Sequence, residues 1–480
     1  MGVGQKPHAI LVSYPLQGHV NPSVHLAIKL ASRGFIITFI NTQSIHHHIT
    51  SKKATTTNGD EDDIFASVRK SGLDIRYTTV SDGLPVGFDR SLHHDEFMAS
   101  LLHVFSAHVE ETIEKIVKNA TPAVNCLIAD TFFVWPGKLA KKYRLLHVSF
   151  WTEAALIFTL YYHMDLLRFN GHFGCIDLRE DEIDYIPGVK SINPKDLTSY
   201  LQQMDTTTVC HQIIYKAFKD AKDADFVLCN TIQELEPETI SALQEKIPFF
   251  AIGPIIPTKC TKRTVSTSLW TESDCTHWLD SKPQGSVLYV SFGSYAHVSK
   301  SDLIEMANGL LQSNVYFVWV LRPDLVSSND KNPLPEGIIK EVGDRGLFIP
   351  WCSQARVLAH QAIGGFMTHC GWNSILESIW CQVPLLCFPL YTDQFTNRKL
   401  VVDDWKIGIN LCDKVQMNKL EVSQKIKQLM MKESGEEFRN AIKKVKCMLE
   451  KALMADGSSE INMDNFFKEI EGKIQQKLAG

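Results

Sequence analysis

Apolar positions recur along this chain in alternating rhythms: short continuous runs, and stretches in which they return every third or fourth residue. His8 to Tyr14 (HAILVSY) predicts a buried strand. The loop PLQGHVN follows, and then a helix capped by Asn21, with Pro22 in its first position, Leu26, Ile28 and Leu30 inside it and Gly34 just past its end. Phe35 to Asn41 (FIITFIN) is the next strand, and Val124 to Asp130 (VNCLIAD) is another, leading into a helix over TFFVWPGKLAKKY.

The opening unit has a near copy. Ser286 to Phe292 (SVLYVSF) reads as a strand, Gly293-Ser294 as a turn, Ser299 to Leu311 as a helix capped by Ser299, and VYFVWVL as a strand. Further on, Gly346 to Trp351 and Gly364 to His369 are strands, with a short helix SQARVLAH between them and a helix NSILESIW after them. Repetition of strand, turn, helix and strand predicts an α/β chain with two facing, doubly wound, Rossmann-like domains. The stretch AIGPIIPTKCTKRTVSTS, rich in Pro, Thr and Ser, separates them. The expected division is therefore residues 1–252, residues 253–455 and a C-terminal helical segment, residues 456–480.

Composition narrows the function. A chain of 480 residues, 44% hydrophobic and 21% charged, can bury two ordinary cores. A formal net charge of −5 without a basic block gives no footprint for nucleic acid. The apolar run HAILV is too short for a signal-peptide core, and no run approaches the ~20 apolar residues of a membrane span. A cytoplasmic monomer without a membrane partner is the expectation. The 12 cysteines contain no CxxC pair and fit no zinc spacing. His46-His47-His48 reads as a helix start, and Asp60-Glu61-Asp62 as part of a polar loop, so no metal site is expected.

Polar chemistry concentrates between Trp351 and Gln394. Cys370-Gly371-Trp372 falls where a strand ends and a helix begins, where unpaired backbone N–H groups and the helix dipole attract phosphate, with Asn373 and Ser374 as further donors. Glu377, one turn into the helix, suits the vicinal hydroxyls of a ribose. Trp351 and Trp372 offer flat faces for a base or a sugar.

The pattern W-x2-Q, HCGWNS, E and DQ resembles the signature box of the plant UDP-dependent glycosyltransferases of secondary metabolites, family 1 enzymes with the GT-B fold. The resemblance implies that Trp351 stacks on uracil, that the Cys352 backbone and Gln354 hold the uridine, and that Glu377 grips the ribose. It further implies that His369, Gly371, Asn373 and Ser374 hold the diphosphate together with Ser294, and that Trp372, Asp393 and Gln394 hold the sugar, with Thr152 touching it from the N-terminal domain. Trp372 and Gln394 together lean toward UDP-glucose as donor substrate, with no cofactor. Gln382 departs from the family, which has glycine before Val383-Pro384. The family fold also sends its last helix back to the N-terminal domain.

Transfer to a hydroxyl requires a base, and histidine has the suitable unperturbed pKa. His19, in the loop after the first strand, stands where open α/β sheets place ligands, and Asp130 ends a strand that could orient it. The family has the same dyad. The expected reaction is inverting transfer of glucose to a small hydrophobic, hydroxylated acceptor of phenolic or terpenoid type. Phe88, Phe97, Phe132, Phe133, Trp151, Phe158, Tyr161 and Tyr162 are candidates for the acceptor pocket. The alternatives are a sugar-nucleotide epimerase on the same scaffold and a non-catalytic nucleotide-sugar binding protein.

Overall fold

The computed structural model describes residues 6–51, 63–174, 179–256, 267–326, 334–412 and 417–479. Asp60, Glu61 and Asp62 lie outside the described residues. The chain divides into two compact units, one of residues 1–194, 200–269 and 451–480, the other of residues 195–199 and 270–450.

The first unit holds a seven-stranded sheet built from β1 (His8–Val12), β2 (Ile36–Thr42), β3 (Ile75–Val80), β4 (Cys126–Asp130), β5 (Leu146–Trp151), β6 (Phe226–Cys229) and β7 (Phe249–Ala251). Their order is β3-β2-β1-β4-β5-β6-β7, with parallel pairing throughout. The second unit holds a six-stranded parallel sheet of β8 (Val287–Ser291), β9 (Tyr316–Val320), β10 (Gly346–Ile349), β11 (Ile363–Thr368), β12 (Leu385–Cys387) and β13 (Gly408–Asn410), ordered β10-β9-β8-β11-β12-β13. Counted from the first strand of each unit, the two sheets share one winding. The order reverses between β1 and β4 in one and between β8 and β11 in the other.

Burial on both faces explains the unbroken apolar runs. In β1, Ala9 and Leu11 enter one core and Ile10 and Val12 the core on the opposite face. In β8, Leu288 and Val290 separate in the same way from Val287 and Tyr289. Alternation therefore operates, but with both sides apolar it leaves no polar mark in the sequence.

Local corrections follow from helix chemistry. The first helix spans Gln17–Ser32, with Leu16 rather than Asn21 before it; the Leu16 carbonyl accepts from His19 and Val20, both at 2.9 Å. Pro22 lies inside this helix, close enough to its start to forfeit a single backbone bond. The helix expected from Thr131 starts at Pro136 and runs to Lys142, because the ring fits the first turn and not the interior. His46 to His48 lie in the helix Gln43–Thr50 and have separate partners, His46 with the Tyr77 hydroxyl and His48 with the Ser44 carbonyl.

Gly253 lies inside the first unit, not at its boundary. Ile252 and Ile255 are core residues there, and the Gly253 carbonyl accepts from Ser459. The last helix, Ser458–Ala479, inserts Met463, Phe466 and Ile470 into that same core, and its Glu460 and Asp464 pair with Arg33. The second unit takes in residues 195–199 through the ion pair of Asp196 with Arg398 and the Thr396 Oγ1 bond to the Asp196 carbonyl at 2.7 Å. Among the described residues no helix is long and apolar enough to cross a membrane.

Candidate active site

In the first unit the strands on either side of the order reversal deliver their functional side chains at their carboxyl ends, the place where open α/β sheets hold ligands. After β1 the chain passes Tyr14 and enters the helix at Gln17, which puts His19 in the first turn. Asp130 closes β4, and Thr152 follows β5. Because β1, β4 and β5 are neighbours, three positions far apart in sequence converge.

His19 Nδ1 lies 2.8 Å from Asp130 Oδ2 and 3.0 Å from Thr152 Oγ1. Asp130 is buried, with its other oxygen accepting the Phe132 N–H at 3.0 Å; it closes a turn rather than capping a helix. An ionised carboxylate only accepts, so Nδ1 carries the proton in this pair and Nε2 keeps its lone pair. Thr152, expected at the sugar, is buried and touches the imidazole.

Aromatic rings surround the histidine. Tyr14 lies 5.3 Å from it centre to centre, and Phe132 stands nearly perpendicular to it, ring centres 5.7 Å apart. Phe132 in turn contacts Trp151 and Tyr161. Of the aromatic candidates, Phe97, Trp151, Phe158 and Tyr161 are fully buried core residues, and Phe132 touches His19. The sequence reading missed Tyr14; its aromatic ring directly after the first strand was the available signal.

In the second unit the same logic applies around β8 and β11. The register pairs Ser291 with Thr368, which places the Gly293-Ser294 turn level with Cys370-Gly371. Gly293 is left-handed, with φ +73, and Cys370 has φ +68. A Cβ at Gly293 or at Gly371 would stand 2.6 Å from His369 Nε2. Both positions need glycine because the imidazole packs directly against their backbone. Burial first, and the nearby Arg322 second, lower the His369 pKa to about 4, so it is a neutral ring at ordinary pH.

The helix Trp372–Cys381 starts from Gly371, whose lack of a side chain means it cannot cap the helix itself, and a helix start is a place that suits an anion. One turn in, the Gln354 amide donates to Ser374 Oγ at 3.0 Å and to Glu377 Oε2 at 2.8 Å, joining three predicted residues. Burial pushes the Glu377 carboxyl up to about 7, partly offset by that Gln354 bond. Trp351 is half-buried beside Trp270, ring centres 6.3 Å apart, and Cys352 is buried with its thiol 3.4 Å from the Tyr289 hydroxyl.

Trp372 is buried, 3% exposed, with its ring 6.1 Å centre to centre from that of Trp405. Asp393 is tied to Asn397 Nδ2 at 2.6 Å and to Thr392 Oγ1 at 2.7 Å. Gln394 Oε1 accepts the N–H groups of Leu390 and Tyr391, which fixes the loop after β12. Asn373 stands half-buried in the first turn of its helix. Gln382 ends that helix in the left-handed conformation, φ +59, where glycine carries no steric penalty. Among the described residues no group of three or more His, Cys, Asp or Glu side chains could hold a metal.

The family profile described as UDP-glucoronosyl and UDP-glucosyl transferase matches residues 268–446. UDP-glycosyltransferase 86A2 of Arabidopsis thaliana is 62% identical across 97% of this chain and 95% of its own length. UDP-glycosyltransferase 86A1 of the same plant is 58% identical, covering 99% and 96%. Among solved structures, Phytolacca americana UGT2 complexed with UDP-2fluoro-glucose and pterostilbene is similar with a TM-score of 0.77 and 26% identity, over 97% of this chain and 99% of that one. With the GT-B fold and whole-length identity at this level, the chain belongs to the plant family 1 UDP-glycosyltransferases.

Proposed function

We propose that this glycosyltransferase transfers glucose from UDP-glucose to a hydroxyl of a small hydrophobic metabolite, of phenolic or terpenoid type, with inversion to a β-glucoside. The observation that carries the catalytic part is the 2.8 Å contact of His19 Nδ1 with buried Asp130, which leaves Nε2 as the base. Nε2 takes the proton of the acceptor hydroxyl as its oxygen attacks the anomeric carbon. The bond from that carbon to the diphosphate breaks on the opposite face, and UDP leaves with the electron pair. Asp130 stabilises the imidazolium as it forms.

On the donor side, Trp351 stacks on the uracil, Gln354 and the Cys352 backbone hold the uridine, and the Glu377 carboxylate accepts from the ribose hydroxyls. The helix start at Gly371 to Ser374, His369 and Ser294 receive the diphosphate, so the reaction runs without a divalent cation. Trp372, Asp393 and Gln394 hold the sugar. The aromatic rings around His19, Tyr14 and Phe132 first, favour an acceptor with an apolar body. The bound ligands named for the Phytolacca americana enzyme, UDP-2fluoro-glucose and pterostilbene, support the same pair of substrate classes.

A panel of hydroxylated metabolites incubated with UDP-glucose and read by mass tests the assignment. A gain of one hexose on the acceptor, unchanged by a chelator, is expected. His19→Ala is expected to lower kcat by ~10²–10⁴-fold while UDP binding stays near wild type. Turnover within a few-fold of wild type would remove His19 as the base.

A further inference from the structure

Arg322 takes no part in the chemistry above, yet it is among the largest fully buried side chains, with 1% of it exposed. It stands just past β9, the neighbour of β8 in the sheet. Its Nε donates to Asp324 Oδ1 at 2.9 Å, one terminal nitrogen donates to the Gly293 carbonyl, and the other donates to the Ala296 carbonyl at 2.8 Å. The carboxylate balances the charge. The remaining donors grip both ends of the turn that carries Ser294.

This grip orients the turn. Across a trans peptide the carbonyl and the N–H point in opposite directions. A Gly293 carbonyl aimed at the guanidinium therefore aims the Ser294 N–H away from it. Gly293 also packs its Cα against the His369 ring, so the turn is set between the guanidinium and the imidazole. Burial, and then this same cation, hold His369 neutral.

We propose that Arg322 is a positioning residue for the donor diphosphate: its two terminal nitrogens set the Gly293–Ala296 turn in its phosphate-receiving shape. The proposal rests on reading the second unit as the UDP-sugar site. It predicts an effect confined to the diphosphate, because the guanidinium's hydrogen bonds go to Asp324, Gly293 and Ala296, whereas Gln354, which would hold the uridine, bonds Ser374 and Glu377.

The test compares uridine with UDP by calorimetric titration on the full-length Arg322→Gln and Arg322→Lys proteins, after circular dichroism confirms folding. For Arg322→Gln, uridine affinity is expected within about 2-fold of wild type and UDP affinity ~10–100-fold weaker, the scale of lost hydrogen bonds to a charged group. Arg322→Lys keeps the charge but not the fork, so an intermediate loss of UDP affinity is expected. Equal weakening of uridine and UDP would show a general packing role and overturn the proposal, as would no weakening of either. If Arg322→Gln does not fold, Arg322→Lys decides alone: a UDP-to-uridine affinity ratio equal to wild type overturns it. Failure of the wild-type protein to bind either ligand would overturn the site assignment instead.

Discussion

Asp130→Asn is the sharpest test of the dyad, because the structure dictates how the amide must sit. Asp130 Oδ1 accepts the Phe132 N–H at 3.0 Å, and the asparagine oxygen will keep that bond. Its NH₂ group then faces His19 Nδ1, in place of the oxygen now at 2.8 Å. A donor there forces Nδ1 to accept, moves the ring proton to Nε2 and removes the base. Even a ring that returned to the productive tautomer would lose the partner of its imidazolium. With charge centres ~4 Å apart and an effective dielectric near 20, that attraction is about 4 kcal/mol, or ~10³-fold in rate at ~1.4 kcal/mol per decade. The assay is initial glucoside formation by mass under saturating UDP-glucose, with UDP affinity measured alongside. The expected result is kcat lower by ~10³-fold with UDP affinity unchanged. A kcat within ~10-fold of wild type would refute both the tautomer argument and the electrostatic one.

The other predictions concern the second unit. Uridine, which carries no phosphate, should bind more tightly as pH rises through about 7, because the ionised Glu377 carboxylate accepts ribose hydroxyls and the protonated form is favoured below that point; Glu377→Gln should flatten the profile, and a wild-type profile equally flat would remove Glu377 from the ribose. Gly371→Ala should weaken UDP by ~10-fold or more, since its Cβ would lie 2.6 Å from His369 Nε2 while φ −64 suits any residue; unchanged calorimetry would show that the imidazole yields freely. Trp351→Ala should weaken UDP by about 1–3 kcal/mol, and an unchanged titration would end the stacking role. Gln382→Gly should stabilise the protein by about 0.5–1 kcal/mol, because φ +59 strains glutamine and not glycine; a lower melting midpoint would contradict this.

The parts that could be read from sequence are those fixed by local patterns. Strands buried on both faces write themselves as runs such as Cys126–Asp130, and a functional residue at the end of such a run has its address in the sheet once the strand order is known. The helix start at Gln17 was hidden because Asn21-Pro22 carries the local chemistry of a helix start and the competing signal, the Leu16 carbonyl, is backbone. Periodicity could place Trp372 at a helix start but could not show Trp405 waiting beside it. The pairing of Asp196 with Arg398 joins residues far apart in sequence, and nothing local marks either one. Thr152 entered only through the family resemblance, as a residue touching the sugar, and its contact with His19 depends on β5 lying next to β4, which only the sheet order supplies.

The two units apply one winding to opposite electrostatic tasks. In the first, the strands at the order reversal bring a buried carboxylate to His19, the proposed base, and Nδ1 sits against Asp130. In the second, the equivalent strands bring a helix start, a glycine turn and a buried guanidinium to a histidine held neutral, the place proposed for the leaving diphosphate. Exchanging the two environments would defeat both steps: a carboxylate beside His369 would raise its pKa while repelling phosphate, and a guanidinium beside His19 would disfavour the imidazolium that base catalysis creates. The winding itself does not choose between these roles; the residues after β1 and β4, and after β8, β9 and β11, do.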